Sequence, residues 1–441
     1  MLFDNKALRR LIIPLIIEQI LAITVGMADT MMISRAGEAA VSGVSLVDMI
    51  NTLLINIFAA IATGGAVVTA QYIGKKRRDM ACVSAKQLIY ITGILSLVIM
   101  TMTLLLRRPL LSLLFGAIDE DVMRNAIIYL TITAISYPFL ALYNSCAALF
   151  RAMGNSRVSM NVSLGMNVIH ILGNVLFIFK LDMGVAGAGT SSLIARMLAA
   201  IVMLALISNK QNDVYVKQIF KIEFNSLMVK KILNIGIPNG FENSVFQLGR
   251  VVVVSIISGF GTVQIAANAV ANNLDSMGCI AGQAMNLAII TVVGRCVGAG
   301  DYKQATYYTK KILKITYFIT IAVNIVILTT MPWILSIYDL SPETLKLAMT
   351  LVFIHDGLAM VLWPASFTLP NALRASNDVK FTMVVSIFSM CAFRVVLSYI
   401  LGKHMGMGAI GVWIAMVVDW LFRVICFVSR FIGGKWKLQK I

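Results

Sequence analysis

Apolar segments long enough to cross a bilayer decide most of what this chain can become. Leu88–Leu106 holds no charged residue and Ile312–Met331 holds only Lys314. At 1.5 Å of rise per residue, either one spans the hydrocarbon layer as a single helix. Twelve such helices are expected, at about 11–33, 45–73, 88–106, 124–150, 158–180, 185–207, 232–258, 268–294, 315–332, 347–372, 381–401 and 410–429. With 59% hydrophobic and 13% charged residues in 441, too little polar surface exists to cover a soluble body of that size. A soluble domain is excluded.

The net charge of +17 would elsewhere suggest nucleic acid as a partner. Here clusters such as Lys75-Lys76-Arg77-Arg78 and Lys310-Lys311 fall on one side of the expected membrane. That bias is the positive-inside rule, so both termini are expected in the cytoplasm and no nucleic-acid partner is expected. The six cysteines (82, 146, 279, 296, 391 and 426) show no paired or metal-ligand spacing; no disulfide framework is expected. The N-terminal apolar stretch is too long for a signal peptide and lacks a cleavage site, so it is expected to stay as the first span.

A shift of 224 positions lays the chain over itself. It pairs Pro14 with Pro238, Glu18 with Glu242, Gly37 with Gly261, Gly74 with Gly298, Gly184 with Gly408 and Gly187 with Gly411. A shift of 223 pairs Leu149-Phe150-Arg151-Ala152 with Ala372-Leu373-Arg374-Ala375. The expected fold is therefore all-α and polytopic: twelve transmembrane helices in two parallel six-helix repeats around a central cleft. The expected parts are an N-terminal lobe over 1–207, a cytoplasmic linker over 208–231 and a C-terminal lobe over 232–441.

Ionisable groups inside such helices are costly unless they meet water or a partner, so each is a functional candidate. Glu18 and Asp29 lie eleven residues apart, which puts them on one face of the first helix. A carboxylate shielded from water can trade a proton for another cation. Asn268, Asn272, Asp275, Cys279, Gly282 and Asn286 form a stripe at 4-3-4-3-4 spacing, suited equally to lining a cavity and to packing helices. Under the repeat, Asp48 and Asn51 correspond to Asn272 and Asp275. Glu242 follows Pro238 and is the acid expected to meet a cationic substrate; Arg250 is expected to neutralise Asp275. Asp419 and Arg423, four apart, are expected to neutralise each other. Asp356 is a candidate for the cleft, while His170, His355, Arg196 and Arg394 stay unassigned by spacing. No phosphate-binding loop, HExxH helix or Gly-rich βαβ unit occurs, so uphill transport would draw on an ion gradient.

With these residues in view, the chain resembles the multidrug and toxic compound extrusion (MATE) family. The likeness rests on Pro14 with Gly26-Met27-Ala28-Asp29-Thr30 and Gly37, and on Gln71-Tyr72-Ile73-Gly74 beside Gly294-Arg295-Cys296-Val297-Gly298-Ala299-Gly300. It also rests on Ala148-Leu149-Phe150-Arg151-Ala152-Met153-Gly154-Asn155 and Gly184-Val185-Ala186-Gly187-Ala188. The resemblance implies sodium- or proton-coupled export of amphipathic, often cationic compounds, with the coupling cation in the N-terminal lobe. Asp29 matches the family's first-helix aspartate and is the expected Na⁺ ligand, with Tyr137 as a neighbour. On the fifth helix, His170-Ile171-Leu172-Gly173-Asn174 replaces the family's Asn, three residues, then Asp.

The reading is a secondary transporter rather than an enzyme, acting as a monomer in the cell membrane with no cofactor beyond its coupling Na⁺ or H⁺. The coupling residues are Asp29, Asn174, His170 and Tyr137. The substrate cleft is assigned to Glu242, Asp275, Asn272, Asn268, Glu18 and Asp356. The rival reading is a flippase for lipid-linked oligosaccharide, whose diphosphate would call on Arg196, Arg250 and Arg394.

Overall fold

A computed structural model describes residues 2–116, 119–219, 221–338 and 340–439, with the Thr30 side chain outside the description. Among the described residues, eleven helices are long and apolar enough to span a membrane, and a bent pair makes twelve if it is one span. The chain is an all-helical, multi-pass membrane protein. The first repeat contains α1 (Asn5–Ile33), α2 (Glu38–Gly74), α3 (Arg78–Phe115), α4 (Glu120–Ile135), α5 (Tyr137–Ala152), α6 (Ser156–Asn174) and α7 (Gly184–Ile207). The second contains α8 (Ser226–Ser258), α9 (Thr262–Gly298), α10 (Tyr302–Ser336), α11 (Pro342–Trp363), α12 (Leu369–Ala375), α13 (Val379–Ser389) and α14 (Gly408–Ile432).

The duplication is visible in the backbone. Both ends of α2 and α9 differ by 224, and so do the first residues of α3 and α10 and of α7 and α14. Gly37 and Gly261, which precede α2 and α9, adopt φ of +97° and +100°. A side chain would be strained there, so glycine holds the same sharp turn in both copies. Widened π-helical turns also recur, at Val175–Lys180 and Ile400–His404.

The expected continuous helix over 124–150 is instead two, α4 and α5, bent by 47°. Pro138, in the first turn of α5, has no backbone N–H to give to the preceding turn. The Ser136 hydroxyl takes up the Thr133 carbonyl at 2.6 Å. The polar linker is shorter than 208–231, because α8 already begins at Ser226. It is tied to α3: Arg78 donates to the carbonyls of Lys210, Asn212 and Asp213 at 3.0, 2.5 and 2.8 Å. The Tyr90 hydroxyl donates to those of Ile219 and Lys221 at 2.9 and 2.7 Å. In the same segment Lys221, 2.9 Å away, holds the exposed Glu223 carboxyl below its usual range.

Packing groups Phe3–Gly240 as one unit and the chain from Phe241 as the other. The first has a core around Val47, Leu111, Leu130, Ile178 and Val185. The second is built around Ile257, Leu274, Leu351, Val412 and Trp413. The early turns of α8 belong with the first unit because they press against α2. A Cβ on Gly64 would stand 2.6 Å from the Ile232 carbonyl oxygen, so only glycine permits that approach. Lys231 adds a bond to the Tyr72 hydroxyl at 3.0 Å. Large apolar side chains such as Leu113, Phe318 and Trp333 point outward, as hydrocarbon surroundings allow.

Candidate functional site

Glu18 and Asp29 both face α6, as their shared face on α1 requires. Asn174, the last residue of α6, donates its amide to Asp29 Oδ1 at 2.5 Å. One turn earlier, His170 Nε2 lies 3.3 Å from the same oxygen. The imidazole is fixed from α7: Ser192 Oγ is 3.2 Å from Nε2, and Ser191 donates to the His170 carbonyl at 2.7 Å. The structure thus brings together Asp29, Asn174 and His170. The Asp29 side chain keeps 25% of its exposure, so the carboxylate is not sealed away. Asn174 Oδ1 is buried and has no hydrogen-bond partner. A carboxylate beside an unused amide oxygen is a donor set that suits a hard cation, which prefers oxygen ligands. These residues fit the coupling ion that the family resemblance implies.

Tyr137 sits in an adjoining network. Its hydroxyl donates to Asn51 Oδ1 at 2.8 Å, and Asn51 Nδ2 donates to Asp48 Oδ1 at 3.3 Å. Arg196 on α7 donates to Ser136 Oγ at 2.7 Å, and its charge acts on both Asp29 and Asp48. Sequence reasoning named Asp48 only as a repeat partner and left Arg196 unassigned. An arginine and a second aspartate inside spanning helices were the available signal.

In the second unit the acids are held by cations. Arg374 Nη2 meets Glu242 Oε1 at 2.6 Å, and both side chains are more than nine-tenths buried. Its counterpart in the first unit is Arg151, 3.7 Å from Glu18, which also accepts from Ser159 at 3.0 Å. Contrary to the expectation from sequence, Asp275 does not pair with Arg250 among the described residues. It meets His355 Nδ1 on α11 at 2.9 Å, because α9 packs its polar stripe against α11. The buried Asp356 approaches the same nitrogen at 3.4 Å, and Cys279 lies 3.5 Å from Asp275. His355 is flanked by Trp413 and Trp420, with ring centroids at 4.8 and 4.4 Å. Asn272 donates to the Asn268 carbonyl, and Asn268 Oδ1 accepts from Trp413 Nε1 at 2.9 Å. Asp419 accepts from Arg423 at 3.1 Å, as the i,i+4 spacing implies, and lies 3.6 Å from Arg394. The six cysteines are free thiols.

Comparison with known proteins fits this architecture. The MatE family model matches residues 14–176 and again 238–400, two copies offset by the same 224 positions. The "Uncharacterized transporter YisQ" of Bacillus subtilis is 27% identical over 435 residues, covering 97% of this chain and 94% of that protein. The "Probable multidrug resistance protein NorM" of Thermotoga maritima is 24% identical, covering 99% and 94%. Among solved structures, "Crystal structure of MATE in the bent conformation" superposes with a TM-score of 0.89 at 20% identity, covering 98% of this chain and 95% of that one. A MOP superfamily transporter from Pyrococcus furiosus superposes at 0.90 and 19% identity, covering 98% and 95%. With both repeats matched, the chain belongs to the MatE family and is a membrane transporter, not an enzyme.

Proposed function

We propose that this protein is a cation-coupled antiporter of the cell membrane, exporting amphipathic, often cationic compounds by alternating access. Relatives named as multidrug resistance proteins support drug efflux. The observation that carries the coupling assignment is the partly shielded Asp29 carboxylate beside the unpartnered Oδ1 of Asn174. Asp29 and Asn174 would hold Na⁺, or Asp29 alone a proton; the ion supplies the gradient energy. His170 orients the carboxylate from the next turn, and Arg196 keeps a second positive charge nearby. Glu242, Glu18, Asp275 and Asp356 remain proposed for the substrate path. Their present partners are Arg374, Arg151 and His355, so a cationic substrate would compete with those groups.

The test is uptake of a fluorescent cationic dye into liposomes under an imposed Na⁺ or pH gradient. Asp29→Asn is expected to bring gradient-driven transport to background while the protein still inserts and melts normally. Transport at the parental rate under both gradients would overturn the assignment.

A further inference from the structure

At the N-terminal ends of α1 and α6 the surface opens into a cavity of about 690 Å³. Lys6, Arg9, Arg10 and Arg157 line it, and no acidic side chain does. None of the four makes an ion pair among the described residues. The neighbouring acids are engaged elsewhere: Asp4 accepts from the Ala7 amide at 2.6 Å, and Glu18 is held by Arg151 and Ser159. Below the cations the lining turns apolar, through Ile13, Ile17 and Met160. Ile13 and Ile17 stand 53% and 41% exposed on the outer face of α1. From Arg10, these two residues lie roughly 5 and 10 Å further along the helix axis. Cations at the helix end and exposed apolar side chains one to two turns deeper match an anionic headgroup with its acyl chains.

The second repeat supplies an internal comparison. The shift of 224 carries Lys6, Arg9, Arg10 and Ile13 onto Lys230, Leu233, Asn234 and Ile237. Those four residues line a second cavity of about 500 Å³. The duplication therefore reproduces the hollow but not its charge, since Lys230 is the one cation there. A bias that served only topology would be satisfied by basic residues anywhere in the flanking loops. Four of them gathered around one of two equivalent hollows call for a ligand.

We propose that this cavity holds the headgroup of an anionic phospholipid, with Arg9, Arg10, Arg157 and Lys6 around the phosphate and acyl chains along Ile13 and Ile17. Basic pockets between spanning helices favour anionic headgroups, by about fivefold per cation.

The experiment is a lipid titration of the purified full-length protein, read by native mass spectrometry. It compares phosphatidylglycerol with phosphatidylcholine of the same acyl chains. The parent is expected to bind phosphatidylglycerol more tightly. Arg9→Leu/Arg10→Asn, which copies the second hollow, is expected to weaken that preference by about twentyfold. Arg9→Lys/Arg10→Lys should keep most of it, and Lys230→Gln should leave it unchanged. The proposal is overturned if the parent does not distinguish the two lipids, or if the Leu/Asn variant binds phosphatidylglycerol like the parent. It is also overturned if the parent takes up inorganic phosphate at millimolar concentration but no phosphatidylglycerol, which would make this an anion site without a lipid.

Discussion

Arg374 places its guanidinium 2.6 Å from the Glu242 carboxylate, with both side chains sealed from solvent. The repeat places Arg151 and Glu18 in the equivalent positions at 3.7 Å, a looser version of the same contact. Arg374 also bonds Asn371 Oδ1 at 2.7 Å, and Glu18 also accepts from Ser159, so each copy is a small network.

Removing one charge from a buried pair leaves the other unpaired, which costs about 3–5 kcal/mol. Arg374→Ala is therefore expected to lower the melting temperature in detergent far more than Arg151→Ala does. Glu242→Gln combined with Arg374→Met should recover much of the loss. A double variant as unstable as Arg374→Ala would show that something other than the unpaired charge is responsible.

His170 touches Asp29 through a ring nitrogen and has no side-chain oxygen to give a cation. Such orienting partners usually contribute about 10–100-fold to ion affinity. His170→Ala is expected to raise the cation concentration giving half-maximal dye transport by that factor, with little change in the maximal rate. An unchanged half-saturation point would count against an orienting role.

Gly282 lies where a Cβ would come within 2.1 Å of the Trp363 ring. Gly282→Ala is expected to destabilise the second unit by about 1–3 kcal/mol through overpacking. Gly26, in α1, has nothing within 4 Å of its virtual Cβ. Gly26→Ala is expected to be neutral or to stabilise by about 0.5–1 kcal/mol. Paired thermal melts of the two variants check the contrast.

Arg78 clasps three carbonyls of the linker. Charge-assisted bonds of this kind contribute about 1.5–3 kcal/mol. Arg78→Ala should make the segment between α7 and α8 open more often, raising its cleavage by a limiting protease about tenfold or more. An unchanged cleavage rate would show that Tyr90 and its neighbours hold the segment unaided.

Local periodicity made the spans and the repeat readable, since hydrocarbon demands long apolar helices and a fixed shift needs no third dimension. The Asp419–Arg423 pair was readable for the same reason: four residues make one helical turn. Asp29 was readable as a charge inside a spanning helix, whereas its grouping with Asn174 and His170 came from the family resemblance; those two also fall one turn apart. Asp275 finding His355 instead of Arg250 was not readable, because 80 residues and the rotation of α11 separate them. Nor was Arg374 as the partner of Glu242, although the matching of Arg151 with Arg374 and Glu18 with Glu242 held the clue. The break at Ser136 had only Pro138 as its sign, and a proline in a spanning helix is as often absorbed: Pro14 and Pro238 lie inside unbroken helices.

The glycine contact between α2 and α8 separates two boundaries that a duplicated gene would place together. The copies are joined covalently in the linker, yet the packing boundary falls at Gly240, several turns inside α8. A protein cut into two polypeptides at the linker would carry the opening turns of its second copy as an unsatisfied edge. The first fragment would then lack the helix turns that close its own interior.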